Sequence, residues 1–178
     1  MEDLIALKNS IRDVLDFPTD GIVFKDLGPV WANPSLNSEV LTALKSRIEK
    51  QMGIPDCVVG IESRGFIYGM SLAMAWGVPF IPFRKPGKLP GNVESMAYKL
   101  EYGSAVLECQ QGMISKGSRV LLHDDVLATG GTLEAAAKLV QLQEGIVLGC
   151  SVIIELKALE GASRLKAMAC DVDSLVKY

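Results

Sequence analysis

The sequence has one histidine and four cysteines in 178 residues, and no two cysteines stand in Cys-x-x-Cys spacing. That excludes a zinc site built on paired thiols and imidazoles. Cys57, Cys109, Cys150 and Cys170 read instead as separate reduced residues at or near a core, which suits the cytoplasm. No apolar run reaches the length of a membrane-spanning helix, so no membrane partner is expected. The first residues, Met1-Glu-Asp-Leu4, are acidic and helical in pattern, unlike a secretory leader. A net charge of -3 gives no cationic excess for bulk nucleic-acid binding, so any anion site must arise from local clustering. Two phosphate-binding signatures are also missing. No Lys-Ser/Thr follows the glycines as in a Walker loop, and no Gly-x-Gly-x-x-Gly spacing occurs.

What is there reads as a globular α/β protein. Hydrophobic residues make up 49% of the chain and charges of both signs are spread throughout, which suits one well-buried domain over 1–178. Leu4, Leu7, Ile11, Val14 and Leu15 recur at helical spacing, and Phe17-Pro-Thr-Asp-Gly21 breaks that helix. A second helix starts at Pro34-Ser35, carries Leu36, Val40, Leu44 and Ile48, and stops at Gly53. Buried strands are expected at 57–61, 78–83 and 119–123, in the run 146–156 and at 171–176, with helices from 65 to about 76 and from 133 to 144. Met96–Leu100 and Ala105–Leu107 read as a hairpin around Tyr102-Gly103. This alternation implies an open, mostly parallel twisted sheet flanked by helices, with ligands beyond the carboxyl ends of the strands.

Three loops follow strands and should converge there. The most informative is Val120-Leu-Leu-His-Asp-Asp-Val-Leu-Ala-Thr-Gly-Gly-Thr132, a strand, an acidic pair, a small-residue loop and a helix start. Loop N–H groups, hydroxyls and the helix dipole make an anion cradle, and the glycines let backbone approach a phosphate. Asp124 and Asp125 would repel that phosphate, so they face ribose hydroxyls or a magnesium-bound group. In Glu62-Ser-Arg-Gly65, Arg64 offers a planar fork for phosphate oxygens, with Glu62 able to orient it. Arg84, Lys85 and Lys88 lie on a Pro/Gly-rich loop that can close over an anionic leaving group and exclude water. Glu101, beside Tyr102 at the hairpin turn, can take a proton or steady a cation-like transition state. Phe17 and Phe24 flank a turn that suits a flat heterocycle or simple core packing. His123 reads as a satisfied, partly buried histidine.

Together, FPTDGIVFKD, GIESRGFIYG, RKPGKLPG, YKLEYGSAVLE and DDVLATGGT resemble the motifs of the adenine phosphoribosyltransferases, a type I purine/pyrimidine phosphoribosyltransferase family, over nearly the whole chain. The resemblance implies transfer of phosphoribosyl from 5-phosphoribosyl 1-diphosphate to adenine, giving AMP and pyrophosphate with Mg²⁺ carried by substrate and water rather than by direct protein ligands. It implies that Ala128, Thr129, Gly130, Gly131 and Thr132 cradle the 5-phosphate while Asp124 and Asp125 hold the ribose hydroxyls. Arg64, Arg84, Lys85, Lys88 and Tyr102 fall where the family contacts pyrophosphate or closes its lid. Glu101 and Arg64 fall at the catalytic positions, and Val23 and Lys25 where the family reads adenine, so that residues 1–34 contribute to the base site. A homodimer, in which the basic loop reaches towards the neighbouring site, is implied as well.

The chain departs from the pattern at three positions. Lys25 stands where an arginine is usual, Asp20 where proline is frequent, and His123 where an apolar residue is common. Lys25 leaves open a relative acting on another purine or an adenine analogue. A regulator that senses the diphosphate sugar without chemistry is a reading of another class, but it lacks an added basic domain here.

Overall fold

Alternating short apolar runs and helical segments set this fold. The computed structural model describes residues 2–99 and 103–178, and the chain divides into two compact units, Met1–Ser46 and Arg47–Tyr178. The first unit holds α1 (Glu2–Ser10), β1 (Arg12–Leu15), β2 (Val23–Asp26), α2 (Gly28–Trp31) and the opening of α3 (Pro34–Gln51), which runs on into the second. The helix expected to continue through Leu15 ends at Ser10. Arg12–Leu15 pair antiparallel with Val23–Asp26 instead. Ion pairs across the two strands, Arg12 to Asp26 and Lys25 to Asp13 at 2.6 Å, favour the ribbon over another helical turn. Phe17 and Phe24 pack edge to face with centroids 5.1 Å apart, closing the turn.

The second unit continues with β3 (Cys57–Ile61), α4 (Gly65–Trp76), β4 (Phe80–Phe83), β5 (Val93–Lys99), β6 (Ser104–Gln110) and β7 (Arg119–Leu127). It ends with α5 (Gly131–Leu142), β8 (Ile146–Glu155), α6 (Gly161–Lys166) and β9 (Val172–Lys177). Five strands form one sheet in the order β4-β3-β7-β8-β9, every neighbouring pair parallel. The expected open parallel sheet is therefore present, and β5 and β6 form the expected antiparallel hairpin, longer than the sequence pattern gave. Chain order reverses between β3 and β7, because β4 lies on one side of β3 and the later strands lie on the other. That reversal leaves a crevice beyond the carboxyl ends of these two strands.

Alternation along the strands builds the core on one face. Val59 and Ile61 of β3, Val120 and Leu122 of β7, and Cys150 and Val152 of β8 cluster with Leu133, Ala136, Leu139 and Val140 of α5. Burying each large aliphatic side chain contributes roughly 1.5–3 kcal/mol. On the other face α4 lies close to the backbone of β7. A methyl group on Gly65 would meet the His123 carbonyl at 2.7 Å and the Asp124 Cα at 3.1 Å, so only glycine admits this approach.

The last strand is fixed by charge. Asp173, 2% exposed, accepts two hydrogen bonds from Arg47 Nε (3.0 and 3.1 Å), one from Arg47 Nη2 and one from Gln51 Nε2. Arg47 is 37% exposed, so water can solvate it once its partner is gone. Asp173→Ala is expected to lower the unfolding free energy by about 1–3 kcal/mol in urea titrations, the worth of its hydrogen bonds to a charged group; an unchanged unfolding midpoint would show that these bonds add nothing net.

Candidate active site

β7 carries the acidic pair further into the sheet than the apolar run suggested. The strand extends to Leu127, and Asp124, Val126 and Leu127 pair in register with Val152, Ile154 and Glu155 of β8. Asp124 and Asp125 therefore lie within the strand rather than after it, because the following Val-Leu keeps pairing with the apolar end of β8. Asp125 is buried and Asp124 half-buried. Asp124 Oδ1 accepts the Asp125 N–H at 2.9 Å. Burial, and then the adjacent Asp125 charge, push the Asp124 carboxyl well above its ordinary range. Burial also raises Asp125, against the lowering effect of Arg64.

Arg64, at the start of α4, supplies the countercharge. Its Nε lies 2.9 Å from Asp125 Oδ2, a close ion pair whose angle falls short of a hydrogen bond. Glu62, read from the sequence as able to orient Arg64, engages the basic loop. It accepts Arg84 Nη2 at 3.0 Å and the Lys85 N–H at 2.6 Å. Burial opposes ionisation of Glu62, but these two donors outweigh it and hold its carboxyl below the usual range. Arg84 also lies over the Phe66 ring at 5.8 Å and donates to the Lys88 carbonyl at 3.3 Å. The basic loop is tied at several points. Arg84 and Glu108 exchange main-chain hydrogen bonds, the Gly87 N–H reaches Glu108 Oε2, and Gln110 holds the Pro90 carbonyl.

The small-residue loop turns the chain from β7 into α5. Gly130 has φ +80° and caps the helix, and a methyl group there would meet the Gly161 carbonyl at 2.9 Å. Both the left-handed conformation and the space demand glycine. Ala128 and Thr132 face a cavity of about 280 Å³ together with Arg64, Lys85, Asp124 and Asp125. Ile61, Glu62, Tyr98, Leu107 and Val126 complete its wall. A larger cavity of about 400 Å³ lies against the hairpin and α5. Its cations, Lys138 and Arg164, are both already paired with Glu134.

Seven of the residues singled out in the sequence, Glu62 among them, thus line one cavity, and Thr129, Gly130 and Gly131 form the turn beside it. Arg84 and Lys88 are not in its lining, though Arg84 reaches the wall through Glu62. Val23 and Lys25 lie on β2 of the first unit, where the Lys25 ammonium meets Asp13. Glu101 and Tyr102 lie outside the described residues. His123 differs from expectation. It is fully buried, and its ring nitrogens make no full hydrogen bond among the described residues. Burial lowers its pKa to about 4, opposed in part by the Ser151 main chain, so the ring is neutral. Its ring meets Tyr68 edge to face at 6.5 Å. Tyr98 and Leu107 were missed because a hairpin pattern marks which residues alternate, not which face meets a cavity.

A parallel sheet whose reversal point gathers an acidic pair, an arginine and a glycine-turned helix start offers the acceptors and donors that a phosphorylated, hydroxyl-bearing ligand would use. A family model for the phosphoribosyl transferase domain matches residues 30–176. An adenine phosphoribosyltransferase of Synechococcus sp. (strain RCC307) is 47% identical over 172 residues, 97% of this chain and 96% of that one. The crystal structure of adenine phosphoribosyltransferase from Rhodothermus marinus DSM 4252 superposes with a TM-score of 0.93 at 45% identity, covering 99% of each chain. The Saccharomyces cerevisiae adenine phosphoribosyltransferase, complexed with adenine and an imino-altritol bisphosphate, gives a TM-score of 0.92 at 39% identity, covering 98% of this chain and 99% of that one. The chain belongs to the phosphoribosyltransferase family and, within it, to the adenine phosphoribosyltransferases.

The acidic pair yields a prediction about stability. The folded pKa of Asp124 is raised above the ordinary 3.8, so its protonated form favours folding below 3.8 and that contribution is lost as pH rises through the folded value. Above 3.8 the protein therefore bears the cost either of protonating Asp124 in the fold or of keeping its charge there. Asp124→Asn is expected to raise Tm at neutral and alkaline pH, with the gain shrinking as pH falls towards 3.8. Equal Tm values across that range would remove the burial cost assigned to Asp124.

Proposed function

We propose that this protein transfers the phosphoribosyl group of 5-phosphoribosyl 1-diphosphate to N9 of adenine, forming AMP and pyrophosphate in purine salvage. The observation that carries the reading is the single cavity joining Asp124, Asp125 and Arg64 to the Ala128–Thr132 turn, in a chain similar over its full length to adenine phosphoribosyltransferases. In this reading the helix start and the loop N–H groups bind the 5-phosphate. Asp124 and Asp125 accept hydrogen bonds from the ribose hydroxyls, and Arg64 and Lys85 meet the diphosphate. As the C1–oxygen bond loosens, positive charge grows on the sugar and the acidic pair stabilises it, while the cations stabilise the departing diphosphate. Arg84 and Lys88 close over the leaving group and exclude water that would otherwise capture the sugar, a role Tyr102 shares. Glu101 receives the proton lost from adenine. Holding both reactants aligned can supply about 7–11 kcal/mol of the acceleration.

Mg²⁺ belongs with the substrate diphosphate in this scheme. The cavity fits it, since the buried Asp125 and the half-buried Asp124 offer hard oxygen acceptors beside the anion cradle. Asp124 and Asp125 would hold the ion's water shell, and the ion would neutralise charge on the leaving group. Val23 and Lys25 read adenine through their main chain in this scheme. Engagement of the Lys25 ammonium by Asp13 favours that mode. We assign the protein to the cytoplasm, which fits its four free cysteines. We also assign it to a homodimer, for which Ile67, Met70 and Met74 offer an exposed apolar stripe on α4. A single monomer boundary in sedimentation velocity at micromolar protein would contradict the dimer.

Initial rates with adenine, hypoxanthine, guanine and xanthine, at saturating diphosphate sugar and Mg²⁺, test the reaction. Adenine is expected to have the highest kcat/KM, and a preference of about tenfold, or 1.4 kcal/mol, for a 6-oxopurine would overturn the assignment. Asp125→Ala is expected to cut kcat/KM by about a hundredfold or more, about 2.7 kcal/mol of transition-state stabilisation, with the fold retained. Turnover close to that of the parent would remove Asp125 from the sugar site.

A further inference from the structure

We propose that Cys150 and Cys170 are a covalent modification site that closes to an internal disulfide by exchange with a small-molecule disulfide of the glutathione class. Their sulfur atoms lie 3.1 Å apart, and either thiol can donate to the other. Both side chains are buried, Cys150 on β8 and Cys170 on the turn that leads into β9. The backbone already sets the pair, because the Cys150 N–H donates to the Asp171 carbonyl at 2.8 Å and Cys150 is in register with Val172. Bridging requires the sulfurs to close from 3.1 Å to a bond of about 2.0 Å.

The pair differs from the other two cysteines. Burial pushes the thiols of Cys57 and Cys109 up to about 11, and Cys109 Sγ is met by Gln143 Nε2 rather than by sulfur. At Cys170 the hydrogen bond from Cys150 lowers the pKa against the effect of burial, so Cys170 is the attacking sulfur. Its neighbours in sequence, Ala169 and Asp171, are exposed, so opening one surface turn brings an oxidant to it. The Cys170 thiolate attacks one sulfur of the small disulfide, forming a mixed disulfide and expelling one thiolate. Cys150, giving up its proton, then attacks the Cys170 sulfur and expels the second thiolate. The protein loses two protons and two electrons, and the small disulfide is reduced to two thiols.

The segment closed by this bond includes Gly161 at the start of α6. A methyl group on Gly161 would meet the Ala128 carbonyl at 2.2 Å and the Gly130 nitrogen at 3.0 Å, so its backbone packs directly behind the Ala128–Gly130 turn. The bond would therefore tether the wall behind that turn, whatever ligand the turn holds.

The test is to incubate the folded protein with oxidised glutathione, trap remaining thiols with N-ethylmaleimide in denaturant, and map the peptides by mass spectrometry. The expected product has lost two hydrogens, links Cys150 to Cys170 and leaves Cys57 and Cys109 alkylated. Its Tm is expected to rise by about 6–12 °C, from the closed loop of roughly 20 residues. Cys170→Ser is expected to remove both the link and the shift. Four alkylated cysteines, a persistent glutathione adduct or a link between other cysteines would overturn the proposal, as would a linked protein with unchanged Tm.

Discussion

Two carboxylates side by side in a buried strand set the terms for the site. Burial raises the cost of ionising both Asp124 and Asp125, and the Asp125 charge adds to that cost at Asp124, so the fold has to bring a cation to them. That cation is Arg64, and it arrives only because α4 begins close to β7. Gly65 makes the approach sterically possible, with no room for a Cβ between the helix and the His123 carbonyl. The cavity next to the pair inherits its polarity from this arrangement. A ligand bearing hydroxyls and phosphates can satisfy the carboxylates and compete for the arginine at once.

Sheet topology explains why three loops from distant parts of the chain serve one cavity. The reversal of strand order between β3 and β7 leaves their carboxyl ends uncovered together, one carrying Arg64 and the other the turn into α5. Glu62, at the end of β3, extends the arrangement by fixing Arg84 and the Lys85 main chain, so the basic loop starts from a set point. Its ion pair spans the third strand end, since Arg84 directly follows β4. The chemistry proposed for the site thus draws on every strand on the β3 side of the sheet and on β7.

Much of this was legible in the sequence because the determinants are local. The apolar runs of β3, β7 and β8, the Thr-Gly-Gly-Thr turn and the strand-end placement of Arg64 follow from periodicity and turn chemistry. The helix expected through Leu15 failed because helical spacing does not register cross-strand ion pairs, and Arg12 and Lys25 reach their partners only once the ribbon forms. The end of β7 was set too early because the strand gains Val126 and Leu127 from pairing with β8, a non-local effect. The partner of Glu62, the burial of His123 and the Cys150–Cys170 contact all depend on which side chains meet across the sheet. Spacing along the chain carries no such information. Glu101 and Tyr102 rest on motif resemblance.

The most direct test is a calorimetric titration of 5-phosphoribosyl 1-diphosphate with Mg²⁺ into the parent protein and into Asp124→Asn. The account predicts saturable one-site binding in the parent and loss of affinity by about tenfold or more, or 1.4 kcal/mol, in the variant. Equal affinity in the two proteins would show that the sugar is held elsewhere and that the acidic pair serves only the fold.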